Sequence, residues 1–245
     1  MLVTADQARG TIGGGRLEWE AMAHARALLA LNKEAFDLPL ALGPATGQCC
    51  GGHVVLRIER VHGDTLREVE SEEAAERRTW PLVMLFGAGH VGRALAHALA
   101  PLPLDVRWID NRSGEFPAVT PSGVAAVVTS DWEGEIARAP AGAASLVLTH
   151  SHALDALIVA AALERGDFAY VGLIGSAGKR RRFERAFKEA GLLPFQIAPL
   201  VCPIGARGVR DKRPAVIAAL VAAELIEVLA KRAASDEDVV SRRSA

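Results

Sequence analysis

The sequence predicts an α/β protein in which a small α+β domain precedes a doubly wound parallel sheet. Three observations lead there. From Trp80 onward, short apolar runs alternate with helical stretches, a pattern that calls for parallel strands with helices on both faces. Before that point the chain reads instead as a hairpin, a glycine turn, one amphipathic helix and a strand of period 2. Between the two, "REVESEEAAERR" at 67–78 is dense in charge and almost free of bulky apolar side chains, which marks a solvated linker or exposed helix. The divisions that follow are 1–68 for the α+β domain, 69–79 for the linker, 80–213 for the sheet domain, 214–232 for a buried C-terminal helix and 233–245 for a flexible tail.

The elements follow in chain order. "MLVT" and "GTIGGG" give a hairpin and a glycine turn, and "RLEWEAMAHARALLALN" is an amphipathic helix with Leu17, Ala21, Leu28 and Leu31 among its apolar positions. In "HVVLRIER", Val54, Leu56 and Ile58 alternate with Val55, Arg57 and Glu59, as in a half-buried strand. "LVMLFGAGH" is a strand leading into the helix "VGRALAHALA"; "DVRWID", "AAVVTS", "SLVLTH" and "YVGLIGS" supply four more strands. The helices "LDALIVAAALER" and "KRRRFERAFKEAG" follow the last two. Pro214, at a position where its missing N–H does no harm, opens the almost wholly apolar "PAVIAALVAAELIEVLA", which must be buried.

Composition narrows the setting. With 245 residues, half of them apolar, the chain can bury a substantial core. Lys and Arg number 28 against 29 Asp and Glu, so neither nucleic acid nor an anionic membrane is an expected partner. The first residues lack the blocks of a signal peptide, and no run reaches the roughly 18 apolar residues of a membrane span, so a cytoplasmic location is expected. In a reducing compartment, three cysteines read as free thiols.

"GAGHVG" carries the first chemistry. Gly87, Gly89 and Gly92 follow an apolar strand and open a helix, so backbone can approach a pyrophosphate at the positive helix end, and Asp110 ends the next strand where a ribose-binding acid is expected. The sheet domain is therefore Rossmann-like. The same glycines can also serve only a tight turn, Asp110 can instead cap a loop, and Arg112 can meet a ribose phosphate. "THSHALD" places Thr149, His150, His152 and Asp155 at a strand end, in the crevice where such sheets bind ligands; Ser151 or Asp155 as a helix cap is the plainer alternative. In "IGSAGKRRR", Gly175, Ser176 and Gly178 precede Lys179 and Arg180 at a helix start, which suits an anion.

"TGQCCGG" sets Cys49 beside Cys50. Adjacent Cα atoms lie about 3.8 Å apart, short of the ~4.4–6.8 Å usual for disulfides, so the pair is not a structural staple. Successive extended side chains point to opposite sides, so one thiol is expected to face outward, available to react or to ligate a soft metal. Cys202, before Pro203, is placed in the core or at the rim.

Taken in order, "GTIGGGRLEWEA", "GPATGQCCGG", "FGAGHVGRAL", "IDNR", "LTHSHALD", "YVGLIGSAGKRRRF" and "CPIGARGVRDKRPAVIAALVAAEL" resemble the XdhC/CoxI family, the xanthine dehydrogenase accessory proteins. The resemblance implies a factor that binds molybdenum cofactor, supports its sulfuration by a cysteine desulfurase and delivers it to the molybdenum subunit of xanthine dehydrogenase. It implies a homodimer, and a chaperone more than a turnover enzyme. Cys49 or Cys50 would then face the metal, the Lys179 region or the Gly87–Gly92 turn would take the phosphate, and His150, His152, Gly175, Ser176 and Cys202 would complete the cofactor site. The family carries a further segment before the part matching "MLVTADQARGTIGGG"; either the start is assigned too late here or the α+β domain lacks a strand, and a glycine is expected near Asp211. The alternative from another class is an NAD(P)-dependent oxidoreductase, which would use the glycine turn and leave "GQCCGG" without a role; a scaffold that binds partners without chemistry is a third.

Overall fold

The structure, a computed structural model, describes residues 1–42, 52–206 and 208–243. The chain forms two compact units, Met1–Ala74 and Ala75–Ala245.

In the first unit, β1 (Leu2–Val3) and β2 (Ala8–Arg9) pair antiparallel, followed by α1 (Gly15–Ala30) and by β3 (Ala35–Leu42) paired antiparallel with β4 (Gly52–Glu59). The glycine turn before α1 is closed by Glu18, whose carboxylate accepts from the Thr11 hydroxyl at 2.5 Å and from the Ile12 and Gly14 N–H groups at 3.1 Å each. The Thr11 bond and the two backbone donors hold this carboxyl below its ordinary range. α1 packs against both β3 and β4, burying Ala21 and Leu28. Next comes α2 (Gly63–Arg77), the charge-rich stretch, exposed along nearly all its length.

The second unit is a six-stranded parallel sheet flanked by helices, a Rossmann-like domain. It runs β5 (Leu82–Phe86), α3 (His90–Leu99), β6 (Asp105–Asp110), β7 (Val124–Val128), α4 (Trp132–Arg138), β8 (Ala144–Val147), α5 (His152–Arg165), β9 (Tyr170–Leu173), α6 (Ala177–Glu189), α7 (Pro194–Ile197), β10 (Leu200–Val201) and α8 (Pro214–Arg243). The sheet order is β10-β9-β8-β5-β6-β7. From β5 the chain moves outward through β6 and β7, then crosses back to place β8 on the other side of β5. The topological switch point therefore lies between β5 and β8, where such sheets open a crevice at their carboxyl ends.

Alternation along each strand builds two cores. Val83 and Leu85 of β5, with Val106 and Trp108 of β6, face α3 and α8; Met84 and Phe86, with Ile109, face α5 and α6. Leu95 and Leu99 of α3 meet Val221 and Leu225 of α8, all fully buried, and each such side chain contributes about 1.5–3 kcal/mol relative to exposure. α8 is continuous to Arg243 and takes in most of the polar segment 233–245. Among the described residues no helix is long and apolar enough to cross a membrane.

Candidate functional site

The candidate residues gather at the carboxyl ends of the strands. After β5 the chain turns sharply into α3 through Gly87, with φ at 119°, a region in which L side chains are strained. A Cβ at Gly87 would run into the Leu148 carbonyl, and one at Gly92 into the Gly87 carbonyl, so packing within the protein requires both glycines. Buried Trp108 fixes the same turn by donating its indole N–H to the Gly87 oxygen at 3.0 Å. Gly89 is different. Its φ of −70° suits any residue, and no atom lies within 4 Å of where its Cβ would stand. The fold has no need of glycine there, and the open space lies at the N-cap of α3, where a phosphate would meet backbone N–H groups and the positive helix end.

Asp110 is not presented as a ribose acceptor. Its Oδ2 accepts from the Ala88 N–H and an Arg112 guanidinium N–H, both at 2.8 Å, and Oδ1 from the Arg112 backbone and Nε–H, both at 2.9 Å. Burial alone raises this carboxyl's pKa, but the Arg112 and Ala88 hydrogen bonds outweigh it and hold the group below its ordinary value. Arg112 reaches on to Glu115, which Arg93 of α3 also grips. Asp110 thus locks the end of β6 to the glycine turn.

Between these ends lies a cavity of about 170 Å³, with contributions from β5, β6, the loops after β7 and β8 and the helices α4 and α5. Phe86, Ile109, Trp132, Leu154 and Ile158 form its apolar walls, and Gly87 joins it to the turn. Asn111, Thr129, Ser130, Thr149 and His150 form the polar edge.

"IGSAGK" folds otherwise than its charge suggests. Ser176 caps α6 by accepting from the Lys179 N–H. The Lys179 ammonium turns inward, donating to Asp155 Oδ2 at 2.7 Å and to the Ile174 carbonyl at 3.0 Å; it is buried, and an anion at the surface would not reach it freely. Asp155, completely buried, also accepts the Thr149 N–H at 2.9 Å and the Thr149 hydroxyl at 2.8 Å. A Cβ at Gly175 would press on Lys179 and the Cys202 sulfur, so that glycine makes room for them. Cys202 is buried, its Sγ 3.9 Å from the Ser176 carbonyl oxygen; burial pushes its thiol up, against an opposing effect of Lys179 and Arg180. It is held as a neutral thiol, a weak nucleophile.

The sequence candidates therefore fall into two groups joined through Thr149 and Asp155. One is the cavity and turn, with Gly87, Gly89, Gly92, Asp110 and His150. The other is the ion pair, with Gly175, Ser176, Lys179 and Cys202 around Asp155. His152 stands at the start of α5, exposed, its Nδ1 3.8 Å from Asp155 Oδ2. Cys49 and Cys50 lie outside the described residues. Among those described, no group of three His, Cys, Asp or Glu side chains is arranged to hold a metal ion. Trp132 and Ser130 escaped the sequence reading; the only trace of them was "TSDW" following a strand, in the same position as "THSH" after β8.

Known proteins match this arrangement. The model for the XdhC Rossmann domain matches residues 83–225, from β5 into α8, and that for the XdhC and CoxI family matches residues 1–37. The uncharacterized protein YqeB of Escherichia coli K12 is 29% identical over 233 residues, 93% of this chain; the chain spans 40% of that protein's length. A crystal structure of a Bacillus halodurans xanthine dehydrogenase shares the fold, with a TM-score of 0.65 and 18% identity, over 91% of this chain and 83% of that one. The matched domain runs through the glycine turn, the cavity and the Asp155–Lys179 pair alike, and the chain belongs to the XdhC family.

Proposed function

We propose that this protein is a maturation factor for xanthine dehydrogenase: it binds molybdenum cofactor as cargo, supports the sulfuration of that cargo and delivers it to the molybdenum subunit of the apo-enzyme. A cysteine desulfurase is the sulfur-supplying partner, and the working unit is a homodimer in the cytoplasm. The observation that carries the reading is the XdhC match on both segments, 1–37 and 83–225. The residues present suit such a cargo. Its phosphate fits the open backbone at Gly89, its ring system a cavity with apolar walls and a polar edge, and its soft metal the thiols of Cys49 and Cys50. In this role the chain binds, orients and shields; neutral Cys202 and the paired Lys179 position the loops around the site.

The test is the stoichiometry of molybdenum and pterin co-purifying with the chain from a cofactor-producing host, for the parent and a Cys49→Ala, Cys50→Ala variant. Near-unit loading that the variant loses supports the reading; an empty parent overturns it. The strand order and glycine turn favour a second reading, an NAD(P)-dependent oxidoreductase. Nicotinamide absorbance that changes with a substrate would favour it.

A further inference from the structure

We infer that the switch-point cavity seats the fused heterocycle of a ligand that carries a phosphate but brings no ribose diol to Asp110: a pterin phosphate, not a nicotinamide dinucleotide. The inference rests on the cofactor-carrier reading and adds where the ring lies and which ligands the domain refuses.

Three observations converge. The first is the saturation of Asp110. A carboxylate offers about four lone-pair sites, and Ala88 and Arg112 fill all four at 2.8–2.9 Å. The Asp110 side chain is 3% exposed. A dinucleotide seated on a glycine turn of this kind places its ribose hydroxyls on the acid ending the second strand. Here those hydroxyls would have to displace a bidentate guanidinium from a buried carboxylate, exchanging charge-assisted bonds for neutral ones. A phosphate on that ribose fares no better, because Arg112 is flanked by Asp110 and Glu115, two carboxylates that would repel it.

The second observation is the cavity's composition. At about 170 Å³ it is close to the ~150 Å³ in which an apolar cavity holds one aromatic ring, and it is open on its polar side, so a fused system would enter with one ring and leave the rest at the opening. Along that side Asn111, Ser130 and His150 carry side-chain donors and acceptors that bond to nothing else among the described residues. Apolar walls with unengaged hydrogen-bonding groups along one edge suit a flat ring with donors and acceptors on its rim. The third is continuity: Gly87 lines the cavity and begins the turn that ends at Gly89, so a ring in the cavity has its substituent directed to the N-terminus of α3.

Gly89 makes the test clean. Its backbone suits any residue, its surroundings are empty and Asp is a preferred N-cap residue, so Gly89→Asp is expected to fold normally while setting a negative charge in the phosphate position. Leu154→Trp fills the cavity, and Asn111→Leu at the exposed rim alters ring reading with no protein bond lost. The probe is the fluorescent, metal-free pterin phosphate made by oxidising the cofactor, titrated by anisotropy into the cargo-free chain, with NADH and NADPH as competitors. The parent is expected to bind it; each of the three variants is expected to weaken binding about tenfold or more with unchanged thermal unfolding, and neither nucleotide displaces it. Displacement by NADH or NADPH, or parent-like affinity in both Leu154→Trp and Asn111→Leu, overturns the inference. Molybdenum loading in cells separates the two claims. A parent that purifies empty yet binds the pterin phosphate in the cavity leaves this inference standing and removes the carrier reading. A Leu154→Trp variant that loads fully does the reverse.

Discussion

Replacing Lys179 with Met tests whether "IGSAGK" carries a cation for a ligand or for the fold. The ammonium is 9% exposed and donates to Asp155 Oδ2 at 2.7 Å and to the Ile174 carbonyl at 3.0 Å. Methionine fills the same space but leaves Oδ2 of a carboxylate that is only 1% exposed without a hydrogen bond, His152 Nδ1 standing 3.8 Å away. Breaking a buried pair from one side costs roughly 3–5 kcal/mol. For a domain of this size each kcal/mol lowers Tm by about 2–4 °C, so Lys179→Met is expected to lower it by roughly 6–20 °C. Circular dichroism with temperature measures this. A second variant, Asp155→Asn with Lys179→Met, removes both charges and keeps an acceptor for the Thr149 N–H and hydroxyl, and it is expected to regain more than half of the loss. A Lys179→Met protein that unfolds within about 2 °C of the parent, but binds the pterin phosphate at least tenfold more weakly, would refute the reasoning and return Lys179 to the ligand.

Gly92→Ala drives a methyl into the Gly87 carbonyl and is expected to lose more than about 1 kcal/mol in urea titrations, whereas Gly89→Ala changes the midpoint little. Tyr170, the one tyrosine of the chain, donates to Glu224 at 2.6 Å, and burial first, then Glu224, pushes its phenol far above the ordinary range. Absorbance at alkaline pH should therefore show no phenolate until the domain unfolds, the two transitions coinciding; as pH rises past about 10 the unfolded chain alone ionises, and stability falls. Tyr170→Phe is expected to cost about 1.5–3 kcal/mol because it strips a bond from a carboxylate that also holds the Gly205 N–H. Asp110 shifts the other way. Its lowered folded value gives stability that is complete above about pH 5 and lost as pH falls below about 4, so Asp110→Asn should flatten the acid side of a Tm profile.

Period and glycine placement made much of the sheet domain legible. β5 to β9 each stand out as apolar runs, and the helices between them follow. β10 is only Leu200 and Val201, too short for any pattern to announce. β3 is hidden because Pro39 interrupts "AFDLPLAL"; a proline lacks the N–H that a ladder needs, and a two-stranded hairpin tolerates it where a central strand would not. In the site, "GAGHVG" shows three equal glycines, and only coordinates separate the two that packing demands from the one it does not. Lys179 misleads for a similar reason. Its partner Asp155 is 24 residues earlier, on another helix, and no local pattern shows that one lies beneath the other. The acid at the end of β6 was found, but its saturation by the arginine two positions on was not.

The pairing of α3 with α8 has a consequence for the order in which the molecule comes into being. One face of the sheet is closed by Val221, Leu225 and Leu229, side chains that leave the ribosome well after α3. Until they arrive, α3 rests on β5 and β6 alone, with its other flank uncovered. The two flanks of α3 are therefore completed at different times, and the turn that precedes it gains its full packing only once α8 has been made.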